Sequence, residues 1–238
     1  MSVSDIISDA LAYPFQNIKA LVIFMVLGII AAIVGGTTII TIATSFSTVG
    51  FSSFALGGVG IIEMIIFILV LFLIEGYGLD IVKFGIERRA DGPGIDFTRQ
   101  ISNAIKLIVV TVVYYVVPVV IIFILQLFLK DWIMTIISII LVILFALANF
   151  MARCRLAKSD DLGDALAIGE AIADISRVGL GKLLATVVLV VIIAIIIVVL
   201  IGIIGGINDT VGDILFGIFL VYLVFLYNRA IGLLYSDA

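Results

Sequence analysis

Six apolar blocks alternate with polar gaps along the chain, at roughly residues 20–44, 61–82, 105–129, 132–152, 183–207 and 211–234. Each reaches the length of about 20 residues that a helix needs to cross the hydrocarbon core of a bilayer. Runs such as 187–204 do not alternate between polar and apolar positions. Barrel strands would alternate, and open strands leave backbone groups unpaired in lipid, so the blocks predict helices despite their β-branched content.

The first, third and fifth blocks are each preceded by a short amphipathic stretch. Residues 4–15 place Ile7, Leu11 and Phe15 on one helical face and Asp5 and Asp9 on another. Residues 96–106 carry Phe97, Ile101 and Ile105 at four-residue spacing. Residues 160–182 carry Leu162, Leu166 and Ile172, with Asp164, Glu170 and Asp174 elsewhere. Such segments are expected to lie in the membrane interface with the apolar side down.

Short echoes accompany this pattern. Asp-Ala-Leu-Ala occurs at 9–12 and again at 164–167, and Gly35-Gly36 and Gly205-Gly206 mark the expected far ends of the first and fifth spans. We read a single membrane domain, 1–238, built from three parallel units at 1–92, 93–158 and 159–238. Each unit is an interfacial helix followed by two spans. Gly28, Ala32 and Gly36 form a stripe of small residues on the first span, and Gly202 and Gly206 do so on the fifth. Such faces let helices approach closely, within one bundle or between copies.

Composition agrees with lipid as the solvent. Of 238 residues, 64% are hydrophobic and 13% charged, with a mean hydropathy of +1.44. A soluble domain is about 45–50% apolar and about 25% charged. The net charge of −4 disfavours nucleic acid as a partner, because phosphate binding needs a basic face.

The bases also orient the chain. Twelve of the thirteen fall in alternate gaps or at the span ends beside them: Lys19, then Lys83 to Lys106, then Arg153 to Lys182, then Arg229. The other side holds Lys130. The excess of positive charge predicts a cell-membrane protein with cytoplasmic N- and C-termini. The stretch 1–13 lacks a basic start, so the first span reads as a retained anchor rather than a cleaved signal.

Candidate chemistry is sparse. There is no histidine, which removes the commonest acid–base group and transition-metal ligand near neutral pH. The single cysteine, Cys154, permits no internal disulfide. Its neighbours Arg153 and Arg155 would lower its thiol pKa; read otherwise, it is a small residue at the membrane edge. Catalytic motifs are absent, and no cofactor or metal is expected. Asp160, Asp161 and Asp164 are read as charges at the start of an amphipathic helix.

Ionisable groups inside spans are costly and are functional candidates by default. Glu75 and Asp80 on the second span, Asn149 and Arg153 on the fourth, and Asn228 and Arg229 on the sixth lie at one depth. They predict an inner-leaflet polar cluster. It is either an ion or head-group site or a structural pairing in which Arg229 neutralises Glu75. Glu63, Asp209 and Asp213 are read as solvated span ends. Asn208-Asp-Thr210 is a glycosylation sequon expected to sit too close to lipid for modification. The uncharged stretch 35–60 contains Thr48-Val49-Gly50-Phe51, similar to a potassium-channel filter. Ser52 stands where the second filter glycine would be, so an interfacial or re-entrant loop is expected.

Asp9-Ala-Leu-Ala-Tyr-Pro14, Glu75-Gly-Tyr77 and Gly92-Pro-Gly-Ile-Asp96-Phe resemble an uncharacterised, largely archaeal family of multi-pass membrane proteins, a domain of unknown function. The resemblance implies a six-span membrane protein and supplies no activity. Together these readings predict an all-α integral membrane protein of six transmembrane helices with cytoplasmic interfacial helices. Its expected role is non-enzymatic: membrane-organising or complex-associated, with membrane lipids and other membrane proteins or copies of itself as partners. The alternative is a small transporter or channel using the inner polar cluster.

Overall fold

The computed structural model describes residues 1–48, 58–129 and 131–238. Nine helices follow in order among them: α1 (Val3–Gln16), α2 (Ile18–Thr48), α3 (Gly58–Ile86), α4 (Phe97–Gln126), α5 (Asp131–Ser159), α6 (Leu162–Ala165), α7 (Ile168–Val178), α8 (Leu180–Gly205) and α9 (Asp209–Tyr235). The six long helices, α2 to α5, α8 and α9, are each long and apolar enough to cross a membrane. The chain is an all-α multi-pass membrane protein.

Three hairpins, α2–α3, α4–α5 and α8–α9, make the bundle. The returning helices α3, α5 and α9 touch one another at its centre. Among the outgoing helices, α2 packs on α9 and α4 packs on α3. Packing is dense at the end that carries both termini. There α9 is buried continuously from Asn228 to Tyr235, and α3 from Gly76 to Val82. Toward the other end side chains face outward, and of α8 only Leu183, Thr186, Val190 and Ile201 are buried. Lipid-facing apolar residues need no protein partner, so a helix such as α8 can stand largely outside the core.

Glycines let the central helices α9 and α3 touch the outgoing helices α2 and α4 backbone to backbone. A Cβ on Gly28 of α2 would fall 2.3 Å from the Gly217 carbonyl oxygen of α9, and one on Gly217 would fall 2.5 Å from that of Gly28. Gly76 of α3 faces Gln100 of α4 with still less room, at 1.8 Å.

Several expectations need correction. Gly35-Gly36 does not end the first span, since α2 continues to Thr48. Gly35 instead packs on α3, where a Cβ would meet the Phe67 ring at 2.4 Å. The stripe expected from Gly28, Ala32 and Gly36 works through Gly28 and its partner Gly217. Gly202 and Gly206 do not form a packing face inside this bundle, because nothing lies within 4 Å of a Cβ on Gly202 and both residues are exposed. Residues 96–106 are not a separate interfacial helix. Asp96 caps α4 by accepting the Arg99 N–H at 3.1 Å, and the helix runs on unbroken into the span. The segment 160–182 forms α6, α7 and the first residues of α8, with Gly179 at φ 94° between α7 and α8. The four residues 48–51 and most of the stretch 35–60 lie outside the described residues or their described side chains.

Candidate functional site

The polar residues at the end that carries both termini form three separate knots rather than one cluster. The first fastens α1. Arg229 of α9 is buried, 2% exposed, because α1, α3 and the α3–α4 loop surround it. Its Nε donates to Asp9 Oδ1 at 2.7 Å and its Nη2 to Asp9 Oδ2 at 3.4 Å. Its Nη1 donates to the carbonyls of Arg89 at 2.6 Å and Phe84 at 3.3 Å. The guanidinium also lies 4.4 Å from the centre of the Tyr13 ring. Five fixed donors suit arginine to such a four-way junction. Burial pushes the Tyr13 hydroxyl up to about 12, so it stays neutral beneath the cation.

The second knot fastens the start of α4 to α3. Asp80 Oδ2 accepts from Arg99 Nε at 3.1 Å and Nη2 at 3.0 Å, and Oδ1 accepts from Asn103 Nδ2 at 3.0 Å. Arg99 Nη2 also reaches the Gly94 carbonyl at 2.5 Å. The third knot fastens α6 and α7 to α5. Arg155 donates to Asp164 Oδ1 at 2.7 Å, to the Asp164 carbonyl at 2.9 Å and to Asp174 Oδ2 at 3.1 Å. Tyr235 and Arg177 donate to the same Asp174 carboxylate at 2.7 and 2.6 Å. Burial alone would raise the Asp174 carboxyl, but these hydrogen bonds outweigh it and hold the group below the usual carboxylate range.

Glu75 and Arg153 differ from these knots. They meet at a single contact of 3.4 Å, and the Glu75 side chain stays 43% exposed. The pair sits in a groove of about 300 Å³ between α3, α4 and α5, walled by Phe72, Leu107, Ile108 and Val112, with Thr111 as a further polar group. The expected pairing of Glu75 with Arg229 is therefore not found. Both lie at the expected end of their spans, but Arg153 faces the α3–α4 side, and Arg229 faces α1.

The other candidates are internal. Asn228 Nδ2 donates to the Val224 carbonyl of its own helix at 2.8 Å and packs on Gly78. Asn149 is buried, and its Oδ1 has no hydrogen-bond partner among the described residues. The thiol of Cys154 is buried and directed at the Ile231 carbonyl, 3.6 Å away. Asp160 pairs with Lys106 at 2.6 Å, Asp161 caps α6 through the Gly163 N–H, and Asp164 belongs to Arg155. No group of three or more metal-ligating side chains occurs among the described residues. Asn208 of the sequon caps α9 by accepting the Val211 N–H at 3.0 Å.

The sequence reading missed Asp9, Arg99, Asn103, Arg155 and Asp174 as members of these knots. One signal was present. Both copies of Asp-Ala-Leu-Ala begin with an aspartate gripped by an arginine near the end of a returning span, Arg229 for Asp9 and Arg155 for Asp164.

The family described as a protein of unknown function, DUF4013, matches residues 59–206. The chain belongs to the DUF4013 family. The match takes in Glu75, Asp80, Arg99, Arg153, Arg155 and Asp174, and leaves outside it α1, all of α2, and the Arg229 knot of α9. No curated protein and no solved structure matches the chain.

Proposed function

We propose that this protein is a non-enzymatic membrane-organising component. It acts within a membrane assembly through its apolar flanks and lipid contacts. One observation supports this most. The buried charges at the charged end engage one another as fasteners between helices, while α8 turns a nearly unbroken apolar surface outward, from Val188 and Leu189 through Ile195, Ile196 and Val199 to Ile203. Groups locked into four-way junctions are poorly placed to bind and release a substrate.

In this reading the charged end and both termini face the cytoplasm, as the excess of basic residues there favours. The domain spans 1–238 and consists of three parallel units, 1–92, 93–158 and 159–238. Its partners are membrane lipids and other membrane proteins or copies of itself. Purification from the native membrane in mild detergent, followed by mass spectrometry, tests the proposal. A defined companion protein or lipid retained in fixed ratio through gel filtration is expected. A monomer stripped of both would overturn it.

A second reading, a small transporter or channel, draws on Glu75. A half-exposed carboxylate with one loose partner inside a span is costly, and it is the one inner acid on a span not enclosed by its partners. If it carries a proton or cation, Glu75→Gln abolishes function. Unchanged activity and assembly in that variant would remove this reading.

A further inference from the structure

A second and larger cavity lies at the charged end, apart from the Glu75 groove. It has a volume of about 560 Å³ and opens between the α1–α2 junction and the α3–α4 loop. Residues 16–20 and 23 line one side, residues 92–95 and Phe97 the other, with Tyr77 between them.

Its charge is of one sign. Lys19 is the single charged residue of the lining. Every arginine of the chain holds a carboxylate within 4 Å, and Lys19 holds none among the described residues. The acids of the neighbouring loop are engaged elsewhere. Asp91 pairs with Arg89 at 2.5 Å, and Asp96 caps α4. The leading N–H groups of α2, at Ile18 to Ala20, have no acceptor within their own helix and add to the positive character.

The surroundings of the cavity are apolar and exposed. Phe15, Ile18, Val22 and Phe97 are each half exposed or more, at the level where the first and third spans begin. The cavity is also preformed. Tyr77 donates to the Pro93 carbonyl at 3.0 Å, Arg99 holds the Gly94 carbonyl, and Gly92 lies so close to Asn17 that a Cβ there would fall 2.1 Å from its Oδ1. Tyr77 is backed by Phe24, with ring centres 4.4 Å apart.

We infer that this cavity holds the phosphate head group of an anionic membrane lipid. Lys19 Nζ supplies the counter-charge, and the exposed apolar side chains around it lie against the glycerol and acyl portions. An anion is favoured over a zwitterion because no carboxylate lines the cavity to meet an ammonium group. The site uses none of the residues of the Glu75 groove and gives the lipid contact of the role proposed above a specific place, while a failure here leaves the apolar flanks of that role untouched.

The test uses the full chain in mild detergent, titrated with phosphatidylglycerol, phosphatidylcholine or inorganic phosphate. Bound lipid is read by native mass spectrometry, and protection by thermal unfolding. Phosphatidylglycerol is expected to bind and protect the wild type. Lys19→Gln, an exposed position whose change spares the core, should weaken that binding about five-fold, the factor one lysine supplies against an anionic surface. Lys158→Gln removes an exposed lysine of the same end that lies over the Tyr235 ring, and should leave binding unchanged. Equal losses in the two variants would mean diffuse surface attraction and overturn the site. Equal binding of phosphatidylcholine, or equal protection by inorganic phosphate, would also overturn it.

Discussion

Arg229 shows how one side chain can hold three parts of this fold. Its guanidinium joins α9 to α1 through Asp9 and to the end of α3 through the carbonyls of Phe84 and Arg89. Removing it leaves a carboxylate and two carbonyls without their donor. Arg229→Ala should therefore cost about 3–5 kcal/mol, the range for breaking a buried ion pair, read as a fall in the unfolding midpoint in detergent. Arg229→Lys should recover little, since an ammonium cannot reproduce the fork of donors. Asp174 gives a pH dependence. Its folded carboxyl lies below the unfolded value of about 3.9. Its contribution is thus complete above that value and is lost as pH falls below it. Asp174→Asn should lower stability at neutral pH and flatten the acid limb of the stability profile. An unchanged limb in the variant would show that the charge is not what Arg155, Arg177 and Tyr235 grip.

Between helices, glycine position matters more than glycine pattern. Gly28 and Gly202 both sit in stripes of small residues, yet only Gly28 faces a neighbouring backbone. Gly28→Ala must push α2 from α9 and should cost about 1–3 kcal/mol, as overpacking does. Gly202→Ala meets open space and should stay within about 0.5 kcal/mol of the wild type. Thermal unfolding of the two variants side by side checks both. The number and type of long helices were legible in the sequence because lipid demands about 20 apolar residues per span. Their ends were less so. Gly35-Gly36 reads as a terminus, but the apolar run carries α2 past it, and the glycine serves a contact with Phe67 that no local pattern reveals. The stretch 96–106 reads as a separate helix, but nothing in it breaks the chain, so it becomes the first turns of α4.

For the molecule as a whole, the sequence gives depth along each span but not which faces meet. Glu75, Arg153 and Arg229 read as lying at one depth, and depth alone could not choose between the two arginines as partner of Glu75. The knot members Asp9, Arg99 and Asp174 were harder still, because each lies in a stretch that reads as a solvated amphipathic face. Only the packing of α1, α7 and the first turns of α4 onto the returning spans brings them to their partners, and of the three Asp174 alone becomes fully buried. The same packing ties both termini to one end of the bundle. Single cysteines at Ser2 and Ser236, in a background with Cys154 replaced by Ala, should therefore label from the same side of sealed vesicles. In the proposed role the charged end is a set of locks, and the Glu75 groove is not a conduit. The most direct test is ion flux across liposomes holding the purified protein, with a proton or cation gradient imposed and Glu75→Gln run in parallel. No flux above that of empty liposomes is predicted for either protein. A flux carried by the wild type and abolished by Glu75→Gln would contradict the account.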